Sequence, residues 1–378
     1  AKRPQTRGDL GLTYAVTDKV RISETFTFDT FNITGGNAFA EAVTRRTAAG
    51  GPLASQFTNS LFYRVTGFRR FVNTVEADYQ FNRRLGVNVG YRFTHRRVNL
   101  VGFDQPLPPA TNLTRTIKDE EEENQTNTLI AGTRIKPHDN WSIFADVEIG
   151  ESDNAFTRLA NYKFTNLRLR SIWRFNQFAF NLSAITKDNE NPSFSTTNPT
   201  GDFIANTKSR IFSGYVDWTP MQKLSVSAGY TYQHLTSETD IVVPLAALTR
   251  GVSQYYMRDH YAFFDVTVQP VNRVSLFASY RLSNDLGQGN KFPTAPQFII
   301  SSYPYTLHAP EFRAAIRLTR NIDWNVGYQF FDYNERILSA IPPPFPPFTV
   351  PAVPVLPAQN YRAHLPYTSL RIYFGRKE

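Results

Sequence analysis

Cysteine is absent from all 378 residues, and methionine occurs only twice. That excludes disulfides, thiolate metal sites, cysteine nucleophiles and covalently attached c-type haem. No cofactor is expected on the chain, and a redox group would have to sit on a partner. Long apolar runs are missing as well: mean hydropathy is −0.37, and no stretch approaches the roughly 18 apolar residues of a membrane helix. Neither sign of charge dominates locally. The 41 Lys and Arg against 32 Asp and Glu give a net charge of +9, but the charges are dispersed through alternating segments, so nucleic acid is not an expected partner. What the sequence does have is aromatics, 31 Phe and 19 Tyr.

Those aromatics sit in segments of strict alternation. Leu85, Val87, Val89, Tyr91 and Phe93 interleave with Gly86, Asn88, Gly90, Arg92 and Thr94, a period of two that argues strand with one apolar and one wet face. Leu224 to Gln233, Val274 to Leu282 and Phe312 to Thr319 read the same way. About fifteen such strands are counted, at 8–16, 19–33, 62–81, 85–100, 125–136, 141–151, 161–175, 178–189, 205–218, 223–236, 254–269, 273–284, 304–319, 322–336 and 359–375. Their connections alternate between tight turns, such as Thr17-Asp18, Asn82 to Arg84 and Asn176-Gln177, and long stretches near 34–61, 99–124, 152–160, 190–204, 237–253, 285–303 and 337–358. Short turns on one rim and long loops on the other are the layout of a transmembrane antiparallel up-and-down β-barrel. The expected domain is a single barrel over 1–378.

The two faces differ in kind. Trp141, Trp173, Trp218 and Trp324 fall on the apolar parity within a few residues of a short turn, as do Phe81, Phe175, Phe178 and Phe374. They are expected to form a lipid-interface girdle. The opposite parity carries eleven basic residues (Arg21, Arg92, Arg134, Lys136, Arg168, Arg170, Arg174, Arg281, Arg313, Arg317 and Arg371) and seven acidic ones (Glu76, Asp78, Asp146, Glu148, Asp217, Asp265 and Asp323). Unpaired charges cost several kcal/mol each in a dry core, so this face needs water and is expected to line a lumen. The densest cationic stripe is Arg168, Arg170 and Arg174, which favours anions unless Asp146 and Glu148 neutralise it.

The last strand, Tyr367-Thr368-Ser369-Leu370-Arg371-Ile372-Tyr373-Phe374, resembles the C-terminal assembly motif of bacterial outer-membrane barrel proteins. Four residues follow the aromatic, a departure from barrels that end on it. The resemblance implies a cell outer-membrane location, contact with lipid and lipopolysaccharide, and insertion by the outer-membrane assembly machinery. The tyrosine-rich strand Val326 to Tyr333 and the overall rhythm resemble the barrels associated with decahaem cytochromes, which would make a multihaem cytochrome the partner. Those barrels often carry a Cys pair near the N-terminus, absent here.

Tracing the turns back from the last strand makes the first strand run the same way, with an odd count, whereas single-chain bacterial barrels have even counts. The expectation is one or more strands upstream of Ala1, or a missed strand in 35–60. The acidic run Asp119 to Glu123 reads as a solvated loop rim, and the tract Ile341 to Pro357 as an extended, proline-stiffened loop. The six histidines show no ligand spacing, and no Ser, His and Asp set nominates a triad. The chain is expected not to be an enzyme. Three functions fit: a pore for small solutes or ions with a modest anion preference, a barrel sheathing a multihaem cytochrome or other partner, or the barrel of a plugged active-transport receptor.

Overall fold

A computed structural model describes residues 2–33, 39–43, 56–107, 114, 116–154, 161–193, 203–244, 248–287, 297–336 and 359–374. They form one sheet of 17 strands. In chain order these are β1 (Gln5–Ala15), β2 (Val20–Asn32), β3 (Phe39–Val43), β4 (Gln56–Gln80), β5 (Leu85–Leu107), β6 (Thr116–His138), β7 (Trp141–Ser152), β8 (Lys163–Phe175) and β9 (Phe178–Ser193). There follow β10 (Phe203–Met221), β11 (Leu224–Pro244), β12 (Leu248–Val271), β13 (Val274–Asp285), β14 (Gln297–Ser301), β15 (Tyr305–Thr319), β16 (Ile322–Glu335) and β17 (Asn360–Ile372). No helix among the described residues is long and apolar enough to cross a membrane.

Each long strand pairs antiparallel with the next long strand in sequence, the up-and-down arrangement of a β-barrel wall. The five-residue strands β3 and β14 are additions at the long-loop end. β3 pairs back onto the start of β4, and β14 runs parallel to β12 beyond the end of β13. The residues 35–60 thus hold a strand the sequence did not show, but it does not alter the alternation of directions. Leaving out these two, fifteen long strands remain of the 17. Among the described residues β1 pairs only with β2 and β17 only with β16, so the sheet is open between them.

The tight turns have local causes. Thr17 Oγ1 accepts the backbone N–H groups of Lys19 and Val20 at 3.2 and 3.0 Å, and Asn82 Oδ1 accepts those of Arg84 and Leu85 at 2.8 and 3.0 Å. Each polar side chain stands in for the backbone partner that a turn lacks. Asn176 adopts φ of 50° in a two-residue hairpin, where the strand twist demands positive φ and Asn tolerates it.

The main difference from the sequence reading lies at the far ends of the strands. β5 runs to Leu107 and β6 starts at Thr116, where a loop over 99–124 was expected; β4, β11 and β12 are likewise longer. Both faces are wet there, so the apolar alternation that marks a half-buried strand fades although the backbone ladder continues. The acidic run Asp119 to Glu123 is therefore strand. Glu121 and Glu123 pair with Arg97 on one face, while Glu122 accepts from Asn154 on the other. The tract 341–357 lies outside the described residues.

Candidate functional site

Register divides the side chains into two continuous faces. One face carries Tyr14, Ile22, Val75, Val89, Leu129, Ile149, Leu167, Leu182, Phe212, Val226, Phe264, Leu276, Phe312, Val326 and Leu370 in neighbouring positions around the sheet. Large apolar groups there are exposed, Leu129 by 63% and Val89 by 61%. The sequence-nominated aromatics Trp141, Trp173, Phe175, Phe178, Trp218 and Trp324 stand on it beside the short turns, with Phe81 in a turn and Phe374 just past β17. Trp173 stacks on Phe180 at 5.3 Å, and Phe178 on Trp218 at 5.8 Å. Trp141 and Trp324 donate their indole N–H to Ser171 and Thr368 across the ladder, at 2.9 and 2.8 Å.

A second ring, not foreseen from sequence, bounds this face above. Tyr91, Tyr230, Tyr280 and Tyr328 are each the seventh residue of their strand. The last three meet His260, His308 and His364 on the adjacent strand through Tyr O–H and His Nδ1 at 2.6 Å, and Tyr91 donates to Asn127. Just beyond come cross-strand ion pairs on the same face: Lys163 with Glu151 at 3.4 Å, Arg210 with Asp188 at 2.7 Å, Arg362 with Asp332 at 3.4 Å, and Arg97 with Glu121 and Glu123. From Trp324 to Asp332, or from Trp218 to Arg210, eight strand steps of about 3.4 Å, tilted by roughly 40°, rise about 21 Å. The apolar face is thus a belt about as tall as the lipid-facing band of a membrane barrel, with aromatics at its lower edge and polar-capped tyrosines at its upper one.

The other face is ionised. Arg92, Arg134, Arg168, Arg170, Arg174, Arg281, Arg313, Arg317 and Arg371 all lie on it, as do all the other charged residues assigned to the wet parity. Some are paired: Arg92 with Glu148 at 3.3 Å, Arg281 with Glu311 at 3.8 Å and Asp265 at 3.9 Å, and Arg317 with Asp323 at 3.7 Å. Arg134 and Arg170 both stack on Phe144, at 5.8 and 4.7 Å, and Arg313 stacks on Phe277 at 5.0 Å. Arg168 stands opposite Asp146 in the ladder, yet among the described residues no ion pair joins Arg168, Arg170 or Arg174 to a carboxylate.

The ladder adds charges to this face that the sequence reading had not assigned to it, some from strands and some, as Glu122 and Asp285, from expected loops, and these change the balance. Among the described side chains on β4 to β9 this face carries nine basic groups (Arg70, Arg92, Arg96, Arg134, Lys136, Arg168, Arg170, Arg174, Lys187) against six acidic (Glu76, Asp78, Glu120, Glu122, Asp146, Glu148). On β10 to β17 seven acidic groups (Asp217, Asp259, Asp265, Asp285, Glu311, Asp323, Glu335) outnumber Arg281, Arg313, Arg317 and Arg371. The basic excess expected from sequence is therefore confined to one wall, and the other wall is acidic. At the top of the acidic wall, above the belt, Asp285 is 4% exposed and accepts from Gly287 N and Ser302 Oγ at 2.6 and 2.9 Å. Its burial raises its pKa above the ordinary carboxylate value, against those two hydrogen bonds. No group of three or more potential metal-ligating side chains occurs among the described residues.

No protein-family model matches the chain, and no curated protein matches it. Solved structures do. OmpT of Vibrio cholerae matches at 11% identity over 80% of this chain and 90% of that one, with a TM-score of 0.31. The outer-membrane transporter YddB of Escherichia coli matches at 8% over 88% of this chain and 55% of that one, TM-score 0.37. OmpF of Salmonella typhi, in complex with daunomycin, matches at 10% over 93% and 98%, TM-score 0.28. At these values the likeness gives no residue of this chain a role. One expectation is corrected: the exclusion of enzymatic activity does not stand, because it rested on the absence of a local motif. A missing local motif says nothing about a site assembled across strands, which is how any site on this sheet would be built.

Proposed function

We propose that this chain forms most of the wall of a water-filled outer-membrane pore that passes small solutes, with a modest preference for anions. The observation that carries the reading is the pairing of an apolar belt, closed off above by tyrosines and ion pairs, with an ionised face on the other side of the same strands. Lipid on one side and water on the other satisfy both faces, and the sheet satisfies its own backbone groups. The girdle aromatics then sit among headgroups at the turn-side interface. β1 and β17 run in the same direction, since each leads toward the short-turn rim. A closed, fully antiparallel wall therefore takes an odd number of further strands between them.

Within the lumen, Arg168, Arg170 and Arg174 present charge that no ion pair takes up among the described residues, and stacking on Phe144 holds Arg170 against the wall instead of neutralising it. A stripe of this kind lowers the barrier for anions along β6 to β8, while the acidic wall across the sheet moderates the overall selectivity. The test is a planar bilayer with a KCl gradient: a reversal potential of the sign for chloride preference is expected. Arg168→Gln, Arg170→Gln and Arg174→Gln together should move it toward zero. Equal permeability of K⁺ and Cl⁻ in the unmodified protein would remove the anion preference, and silence from verifiably inserted protein would remove the open pore.

A further inference from the structure

Above the three-arginine stripe, the same wall holds a hollow of about 320 Å³. Arg70, Arg92 and Arg96 project into it, with Phe68 and Phe164 among its other lining residues. Arg70 and Arg96 are direct ladder partners on β4 and β5, so two guanidinium groups face each other on one side of the sheet. Like charges directly opposite destabilise an antiparallel pair. Among the described residues lining the hollow the one carboxylate, Glu148, is already engaged: Oε1 lies 3.3 Å from Arg92 Nη1, and Oε2 accepts from Asn166 Nδ2 at 3.4 Å. The described lining is therefore cationic, three arginines against one engaged carboxylate, with threonine and asparagine side chains beside them and Phe164 only 8% exposed.

We propose that this hollow is an oxyanion-binding station in the pore wall, taking the phosphate or carboxylate group of a small solute between Arg70 and Arg96 with Arg92 beneath. A planar guanidinium gives two parallel N–H donors to such a group. Two of them facing each other place a dianion where their mutual repulsion turns into shared attraction. The apolar rings of Phe68 and Phe164 accommodate an organic remainder. At this level, above the belt, burial and then the charge of Arg70 push the pKa of Arg96 below its ordinary value. An anion between the two groups offsets the second of these effects. The site rests on the pore reading for its access but not for its chemistry.

The test is calorimetric titration of inorganic phosphate into the refolded full chain in detergent at low salt. Saturable binding is expected, weakened roughly tenfold or more in Arg70→Gln/Arg96→Gln and only partly in Arg70→Lys/Arg96→Lys, which keeps the charge while losing the fork. Arg362→Gln, which removes a cation from the outward face of β17, should leave the affinity unchanged. Far-UV circular dichroism checks that each variant retains its sheet. Absence of saturable binding, or equal affinity in the Arg70→Gln/Arg96→Gln variant, overturns the proposal. Titration needs no conduction, so phosphate binding by a protein silent in bilayers would end the pore and keep the station. Conducting channels that bind no phosphate would do the reverse.

Discussion

Val89 and Asn88 are consecutive residues that the structure sends to opposite solvents, and exchanging each for arginine separates the two faces energetically. Val89 is the fifth residue of β5. Four steps of about 3.4 Å at a tilt of roughly 40° put it about 10 Å above the turn, the middle of a belt about 21 Å tall. Its side chain is 61% exposed, and its ladder partners are Ala77 and Ala131, so a guanidinium there finds no carboxylate. Val89→Arg should cost about 2–4 kcal/mol, the range for a cation at the bilayer midplane on a barrel exterior. Asn88 faces the other way, opposite Asp78 and Gly132, with Asp146 also beside Gly132. Asn88→Arg meets water and two carboxylates and should cost under about 1 kcal/mol. The assay is reversible guanidinium unfolding in phospholipid vesicles, with both variants against the parent. Equal costs for the two, or the larger cost at Asn88, would refute the assignment of faces and the membrane reading built on it.

Three other outcomes follow from the same geometry. Tyr280→Phe removes the hydroxyl that meets His308 Nδ1 at 2.6 Å; a loss of about 0.5–1.5 kcal/mol is expected in the vesicle assay, and no loss would show that the tyrosine ring is spectator to that histidine. Asp285 has its folded pKa raised above the ordinary 3.8 by burial, so its contribution to stability is complete below that value and is lost as pH rises through the raised one. Asp285→Asn, which still accepts from Gly287 N and Ser302 Oγ, should be more stable than the parent at pH 7 and should lack the decline that sets in as pH rises above 3.8; parallel pH profiles would contradict this. Arg97→Gln releases Glu121 and Glu123 on the outward side above the belt. It should change stability by under about 1 kcal/mol, more at low salt than at high, and a larger, salt-independent loss would place that pair within the membrane.

Strand identity was legible wherever one face met lipid and the other water, because that contrast writes a period of two into the sequence. Tyr91, Val89 and Val87 on one side and Arg92, Gly90 and Asn88 on the other were assigned correctly from the pattern alone. The tight turns were legible through Thr17, Asn82 and Asn176, whose side chains or backbone freedom serve a hairpin directly. The pattern failed above the belt, where β5 continues past Leu100 and β6 precedes Gln125 with polar residues on both faces, as Glu121 and Glu122 are. A strand with water on both sides has no composition of its own.

The chain's alternation, its missing cysteines and its turn residues therefore determined an all-β wall with one lipid-compatible face. Only the tertiary structure decided which charges meet. Arg70 faces Arg96, Glu148 goes to Arg92 and not to Arg168, and tyrosines on three strands each find a histidine on the next. The physical reason is that a strand's own residues fix which side each side chain takes, while its neighbours across the ladder are set by register between segments tens of residues apart.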